Sequence, residues 1–195
     1  MNQLPAAILA LFAALPLAAQ QVEVRCTPTD GSAAGCYYCP GYETVIKWNG
    51  TQLHSSTINL LPFHDLDVVL QGTWNGSVIE VTSIQTTTES FSISGNGSIG
   101  HRFDFNTVGA PGGLAINLIA LDAAFVGVGS LAVQLDPASA VVLGAGSLGS
   151  AGEFKSRLDI PNVPSLVGLR VYGQGAVLQP GNVLYTTNVD TKVVS

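Results

Sequence analysis

The chain has 195 residues, of which 10% are charged, and its formal net charge is −6. An ordinary soluble domain has about 25% charged residues, so uncharged polar side chains or a bound partner must keep this surface in solution. The sequence has no basic cluster that could neutralise phosphates, which excludes nucleic acid and anionic lipid as partners.

The first segment is apolar. Residues 1–19 read MNQLPAAILALFAALPLAA, an apolar run followed by small residues. This pattern predicts a secretory signal peptide that is cleaved after Ala19, although the segment has no Lys or Arg. The run is short for a membrane span, so we expect no transmembrane segment in the mature chain. The protein is therefore expected to be extracellular or periplasmic, either secreted or held at the cell surface.

Three cysteines follow in the predicted mature chain: Cys26, Cys36 and Cys39. Export brings a protein into oxidising conditions, which favour a disulfide, and we expect Cys26 to pair with Cys36 or Cys39. A zinc site completed by a histidine is the alternative. Thiol-disulfide catalysis requires a helix in a βαβ unit, which the pattern does not predict, and we expect neither a metal nor a cofactor.

Asn-Gly followed by Ser or Thr occurs three times, at residues 49–51, 75–77 and 96–98. Each triplet matches both the N-glycosylation acceptor and the commonest two-residue hairpin turn. The residues around the first two alternate between apolar and polar, as half-buried strands do. We predict two-residue turns there, with Ile46 opposite Leu53 and Leu70 opposite Val81. The third triplet predicts a hairpin with a loop of two or three residues.

Both tryptophans, Trp48 and Trp74, directly precede an Asn-Gly pair and fall on the apolar face of the predicted hairpin. Large aromatic side chains at such positions usually close the end of a core. The alternative is an exposed ligand face. The aromatic residues that would form it are Trp48, Trp74, Tyr37, Tyr38 and Tyr42.

Short extended runs separated by Gly, Pro and Asn occupy the second half of the chain and predict an all-β sandwich. The predicted strands are 114–121, 130–135, 138–143, 156–160, 167–178, 183–189 and 191–194. Residues 114–135 have the length of a membrane span, but Asn117, Asp122 and Gln134 interrupt them, which favours strands of a sheet core.

Two patterns suggest catalysis or cofactor binding. Gly144, Gly146 and Gly149 match the dinucleotide-binding fingerprint, but the helix and the later acidic residue that it requires are missing from the sequence. The segment HDLD at 64–67 places His64, Asp65 and Asp67 close together, as a hydrolase or a metal site could use them. The simpler interpretation is that these polar side chains lie in solvent where a strand begins.

The C-terminal part resembles a module that recurs in secreted bacterial proteins of unassigned function. The resemblance is carried by LAVQLD at 131–136, IPNVPSLVG at 160–168, YGQ at 172–174 and the Thr-Asn step at 187–188. It implies an extracellular β-sandwich over about the last 90 residues, with no catalytic residues to transfer.

These observations predict an all-β protein. After the signal peptide, residues 20–106 form hairpins in a second sheet or a small OB-like barrel with a cysteine-containing loop. Residues 107–195 form an antiparallel β-sandwich of jelly-roll type. The first functional hypothesis is a secreted, non-enzymatic protein that acts by contact as a surface, structural or adhesion module. Its partners would be an extracellular protein, a polysaccharide or a second copy. The alternatives are a carbohydrate-binding module and an exported hydrolase or metal-dependent enzyme.

Overall fold

A computed structural model describes residues 19–31 and 44–195 of the chain. These residues form fifteen β-strands, which confirms the predicted all-β class. The strands are β1 (Gln20–Cys26), β2 (Pro28–Asp30), β3 (Thr44–Ile46), β4 (Gln52–His54), β5 (Val68–Trp74), β6 (Val78–Thr86), β7 (Ser90–Ser94), β8 (Arg102–Val108), β9 (Leu114–Ala120), β10 (Ala123–Val128), β11 (Leu131–Leu135), β12 (Val141–Ser147), β13 (Glu153–Asp159), β14 (Arg170–Gln179) and β15 (Val183–Val193).

The strands form three sheets. The first has eight strands in the order β10-β11-β1-β5-β6-β4-β3-β2, and it curls into a half-barrel. The second has four strands in the order β12-β9-β14-β15, and the third has three in the order β13-β8-β7. Neighbouring strands are antiparallel except for the pairs β1–β11 and β4–β6.

The three-stranded sheet faces the four-stranded sheet and forms the predicted β-sandwich. Phe91, Phe103 and Phe105 lie between them and pack with Val171 of β14 in one buried cluster. The core of the half-barrel is a separate cluster that includes Leu70 of β5. In both cores, alternate residues of each strand are buried, because successive side chains point to opposite faces of a sheet.

The half-barrel and the sandwich meet along β15. Gln134 of β11 donates its backbone N–H to Gln174 Oε1 (3.0 Å), and Gln174 Nε2 donates to Thr187 O (2.9 Å). Gln134 Nε2 also donates to Arg25 O (2.7 Å). Gln134, Gln174 and Thr187 are fully buried, so these side chains satisfy the backbone groups that lie between the sheets.

The predicted boundary between residues 106 and 107 lies inside β8, and the sheets combine strands from both sides of it. Strands β10 and β11, from the C-terminal half, extend the half-barrel beside β1. Strands β7 and β8, which begin in the N-terminal half, pair with each other, and β8 also pairs with β13. Strand β10 was left unassigned by the sequence patterns. No helix in the described ranges is long and apolar enough to cross a membrane.

The first two hairpins form, but their predicted two-residue turns are wrong. Leu53 lies opposite Thr44 rather than Ile46, so residues 47–50 form the connection. Val81 lies opposite Gly72 rather than Leu70, because four residues rather than two separate the paired residues Trp74 and Ile79, and a bulge between Gln71 and Gly72 shifts the rest of the strand pair further. The register of the first hairpin differs from the predicted one by two residues. That of the second differs by two residues near the turn and by three beyond the bulge. The predicted apolar side chains of β5 and β6 stay buried.

The third hairpin has a longer loop than predicted. Strands β7 and β8 pair with Ile93 opposite Phe105, which leaves residues 95–101 as the connection. Gly97 has φ +73, and a Cβ there would lie 3.0 Å from Val193 O, so the loop packs closely against the C-terminal strand. This contact with a distant strand explains why local pairing rules give the wrong length.

Candidate functional site

The structure separates the predicted aromatic residues. Tyr37, Tyr38 and Tyr42 lie outside the described residues. Trp74 is half-buried at the end of β5, and its ring centroid lies 4.9 Å from that of Phe125 on β10. Both rings pack against the core of the half-barrel. Trp74 therefore closes a core and is not available as an exposed platform.

Trp48 has a different environment. It lies in the connection between β3 and β4, where its side chain is 39% exposed. Its φ is 78°, in the left-handed region that non-glycine residues seldom adopt. Lys47 Nζ lies 5.4 Å from the ring centroid of Trp48, and Arg170 Cζ lies 5.9 Å from it. An exposed indole thus lies between two cationic side chains that come from different sheets.

Backbone hydrogen bonds hold this connection in place. Lys47 N–H donates to Thr27 O (2.9 Å), and Gly50 N–H donates to Ile46 O (3.0 Å). The side chain of Asn49 accepts a hydrogen bond at Oδ1 from Thr51 N–H (2.9 Å). These hydrogen bonds define the backbone path on both sides of Trp48.

The segment at 64–67 does not assemble a catalytic group in this structure. His64 Nε2 forms a hydrogen bond with Thr44 Oγ1 (2.9 Å), Asp65 pairs with Lys47 Nζ (3.4 Å), and Asp67 accepts from Thr27 Oγ1 (2.8 Å). Each side chain thus has its own partner. Within 19–31 and 44–195, no three His, Cys, Asp or Glu side chains are arranged to hold a metal ion.

Cys26 is a free thiol at the end of β1 and is buried in the core of the half-barrel. Burial raises the pKa of this thiol above its usual range, and the nearby carboxylate of Asp67 raises it further. A thiol of this kind is a poor nucleophile, because the thiolate is the reactive form. Cys36 and Cys39 lie outside the described residues, so the predicted disulfide stays a prediction.

The glycine fingerprint lies on a strand rather than on a phosphate-binding loop. Gly144 and Gly146 belong to β12, which pairs with β9. A Cβ at Gly146 would lie 2.5 Å from the ring of Phe154 on β13. Glycine is needed there because the Phe154 ring packs directly on the backbone.

An ionic cluster lies beside the junction of the sheets. Arg25 Nε binds Glu89 Oε2 (2.6 Å), Arg25 NH1 binds Glu23 Oε1 (2.7 Å), and the side chain of Arg25 is 11% exposed. Its guanidinium carbon lies 3.8 Å from the ring centroid of Tyr185. Gln179 Nε2 donates to the other oxygen of Glu89 (2.7 Å). One arginine thus binds two carboxylates, and the second oxygen of Glu89 is satisfied by a neutral amide, which is consistent with a structural role.

The most extensive exposed feature was not predicted from the sequence. Large apolar side chains project from the four-stranded sheet on the side away from the sandwich core. We call this set the outer face: Leu114 and Ile116 of β9, Val142 of β12, Leu178 of β14 and Leu184 of β15. Leu114, Ile116, Val142 and Leu184 are between 40% and 61% exposed. Leu114 lies opposite Leu178, and Leu178 lies opposite Leu184, so three of them form one row across the sheet.

The orientation of β9 is the reverse of what its sequence LAINLIA suggests. Its small and polar residues Ala115 and Asn117 point into the sandwich together with Ile119, whereas Leu114 and Ile116 point outward. Asn117 is tolerated inside because Nδ2 donates to Ser156 Oγ (2.8 Å) and to Phe105 O (3.1 Å). Hydrophobicity alone would place Leu114 and Ile116 in the core. The hydrogen bonds of Asn117 explain why the strand has the opposite orientation.

Strand β11 covers one end of this side of the sheet and leaves the outer face open. Thr186 Oγ1 donates to Ala132 O of β11 (2.6 Å), and Leu118 packs with Val133. The residues that flank the outer face in register are uncharged: Ala145, Ser147, Ala176 and Thr186.

A comparison with known proteins finds no family model that matches the chain and no curated protein that is similar to it. The resemblance of the C-terminal part to a secreted bacterial module stays a prediction.

Proposed function

We propose that this chain is a secreted, non-enzymatic protein that acts by contact, and that it associates with a second copy of itself through the outer face. The observation that carries the proposal is the row Leu114–Leu178–Leu184 across three paired strands, in which Leu114 and Leu184 are exposed and Leu178 is half-buried. Such patches on soluble proteins mark surfaces that bind a partner.

The absence of charge on this face favours a second copy as the partner. The chain has a net charge of −6, so two copies repel each other at most orientations. The outer face and the residues flanking it in register are uncharged. Contact through it therefore keeps the acidic side chains of both copies apart, and a twofold axis would place the same patch on both sides of the interface.

The size of the face determines the strength of association. The largest apolar patch on a typical monomer covers about 300–600 Å². A standard stable interface needs roughly 800 Å² from each partner. The outer face consists of five side chains, so we expect it to bury less area than a standard interface and to support a weak dimer that dissociates on dilution rather than an obligate one.

Sedimentation velocity of the exported protein over a range of concentrations tests the proposal. The weight-average sedimentation coefficient is expected to rise with concentration for the wild type. The variant Leu114→Ser, Leu184→Ser is expected to remain monomeric. Leu61→Ser, Val163→Ser is the control, since these residues are comparably exposed but lie outside the four-stranded sheet, Leu61 in a short 3-10 helix and Val163 in a loop. Concentration-independent sedimentation of the wild type, or equal association of both variants, would overturn the proposal.

A further inference from the structure

We infer that Trp48, Arg170 and Lys47 form a binding site for acidic polysaccharides whose sugars carry carboxylates. The apolar face of a sugar ring would stack on the indole, and its carboxylate would bind the guanidinium of Arg170. The site lies apart from the outer face, so it does not depend on self-association.

The first support is the conformation of Trp48. A side chain with φ 78° is strained, and strained residues persist where the surrounding structure holds them for a function. Gly50 in the same connection also has a positive φ (68°), but glycine adopts it freely. The connection thus uses its bulkiest residue where a small one would fit better, and it exposes the ring.

The second support is the charge around the ring. Arg25, Arg102 and Arg157 each form an ion pair with a carboxylate. Arg170 is exposed and has no carboxylate partner in the part of the chain that the structure describes. Lys47 has one, but the Asp65 pair is long at 3.4 Å and largely exposed, so a ligand could compete for the lysine.

The chemistry of these groups selects the ligand. The planar guanidinium of arginine matches a carboxylate with two parallel hydrogen bonds. Stacking on the indole gives contact area at little loss of conformational freedom, because a tryptophan side chain has only two rotatable bonds. The net charge of −6 opposes a polyanion at long range. Binding must therefore depend on these two cations, and it should weaken as salt is added.

The test is a fluorescence titration of the Trp74→Phe protein, in which Trp48 is the only tryptophan. The probes are oligogalacturonate and its methyl ester, which has the same backbone without the charge. Oligogalacturonate is expected to quench Trp48 in a saturable manner, and the ester is expected to bind about tenfold more weakly. Unchanged fluorescence with oligogalacturonate, or equal affinities for the two probes, would overturn the inference.

Three variants in the same background assign the contacts. Trp48→Ala, followed by calorimetry because the fluorophore is lost, is expected to abolish binding. Arg170→Gln is expected to weaken oligogalacturonate binding about tenfold and to leave the ester unaffected. Arg157→Gln is the matched control, since it removes an exposed arginine on β13 away from the site. If Arg157→Gln weakened binding as much as Arg170→Gln, the overall charge of the protein rather than contact with Arg170 would explain the effect, and the inference would be overturned. Leu114→Ser, Leu184→Ser should bind like the wild type even if self-association proves absent.

Discussion

The side chain of Asn188 on β15 pairs with both backbone groups of Phe91 on β7. Phe91 N–H donates to Asn188 Oδ1 (2.7 Å), and Asn188 Nδ2 donates to Phe91 O (3.2 Å). Strand β7 is the last strand of its sheet, so these groups have no neighbouring strand to bind. Asp190 does the same for Ile93 N–H (2.7 Å). Two side chains of β15 thus replace a missing strand and close the edge.

Asn188→Ala should lower the free energy of unfolding by about 2–3 kcal/mol, because it leaves a buried N–H and a buried C=O without partners. Urea unfolding followed by circular dichroism measures this change. Asn106→Ala is the control, since Asn106 Oδ1 already has no hydrogen-bond partner among the described residues. Equal losses for the two variants would show that the pairing of Asn188 with Phe91 does not stabilise the fold.

Tyr185→Phe should be at least as stable as the wild type at neutral pH. The hydroxyl of Tyr185 is buried beside the side chains of Glu89 and Gln179 but forms no hydrogen bond of good geometry with a described residue, so its removal relieves a poorly compensated polar group. A clear loss of stability in urea at pH 7 would mean that the hydroxyl has a partner.

The same tyrosine predicts a pH dependence. Burial, assisted by the carboxylate of Glu89, raises the pKa of Tyr185 to about 12. The unfolded chain releases this proton near pH 10, whereas the folded protein keeps it, so the stability that Tyr185 contributes is complete below about pH 10. It is lost as the pH rises from 10 to 12. Between urea unfolding at pH 9 and at pH 11.5, the wild type should lose more stability than Tyr185→Phe. Equal losses would contradict the shift.

Gly146→Ala should lower the free energy of unfolding by about 1–3 kcal/mol, because the added methyl group overlaps the ring of Phe154. Gly149→Ala is the control from the same glycine motif. A Cβ there meets only Glu153 O at 3.8 Å, an ordinary contact, so that variant should be neutral or slightly stabilised. Thermal unfolding distinguishes the two. Equal tolerance at both positions would mean that Phe154 moves aside without loss.

Cys26 should resist alkylation by iodoacetamide in the native protein and react after denaturation, since it is buried and its pKa is raised. Peptide mapping by mass spectrometry under non-reducing conditions measures both the alkylation and any disulfide. A bridge from Cys26 to Cys36 or Cys39 would instead confirm the pairing expected from the sequence, and rapid labelling of native Cys26 would contradict its burial.

Local sequence determined which side of several strands is buried. Alternation in β5 identified Val68 and Leu70 as core residues, since the direction of successive side chains is a property of the strand itself. The error in the first hairpin did not change this result: a shift of two residues in register leaves Ile46 and Leu53 on the same face. In β9 alternation does not identify the buried side, because Asn117 lies in the core, where hydrogen bonds satisfy its side chain.

Only the tertiary structure decided how the strands combine and which tryptophan is exposed. The pairing of Glu23 with Leu131 joins segments that are far apart in the chain, and no local pattern records it. Trp48 and Trp74 both precede Asn-Gly, yet one ring is exposed and the other packs on Phe125. The difference arises because β10 covers Trp74, whereas the ring of Trp48 remains open between Lys47 and Arg170. Local sequence sets the direction of a side chain, but distant segments determine what meets it.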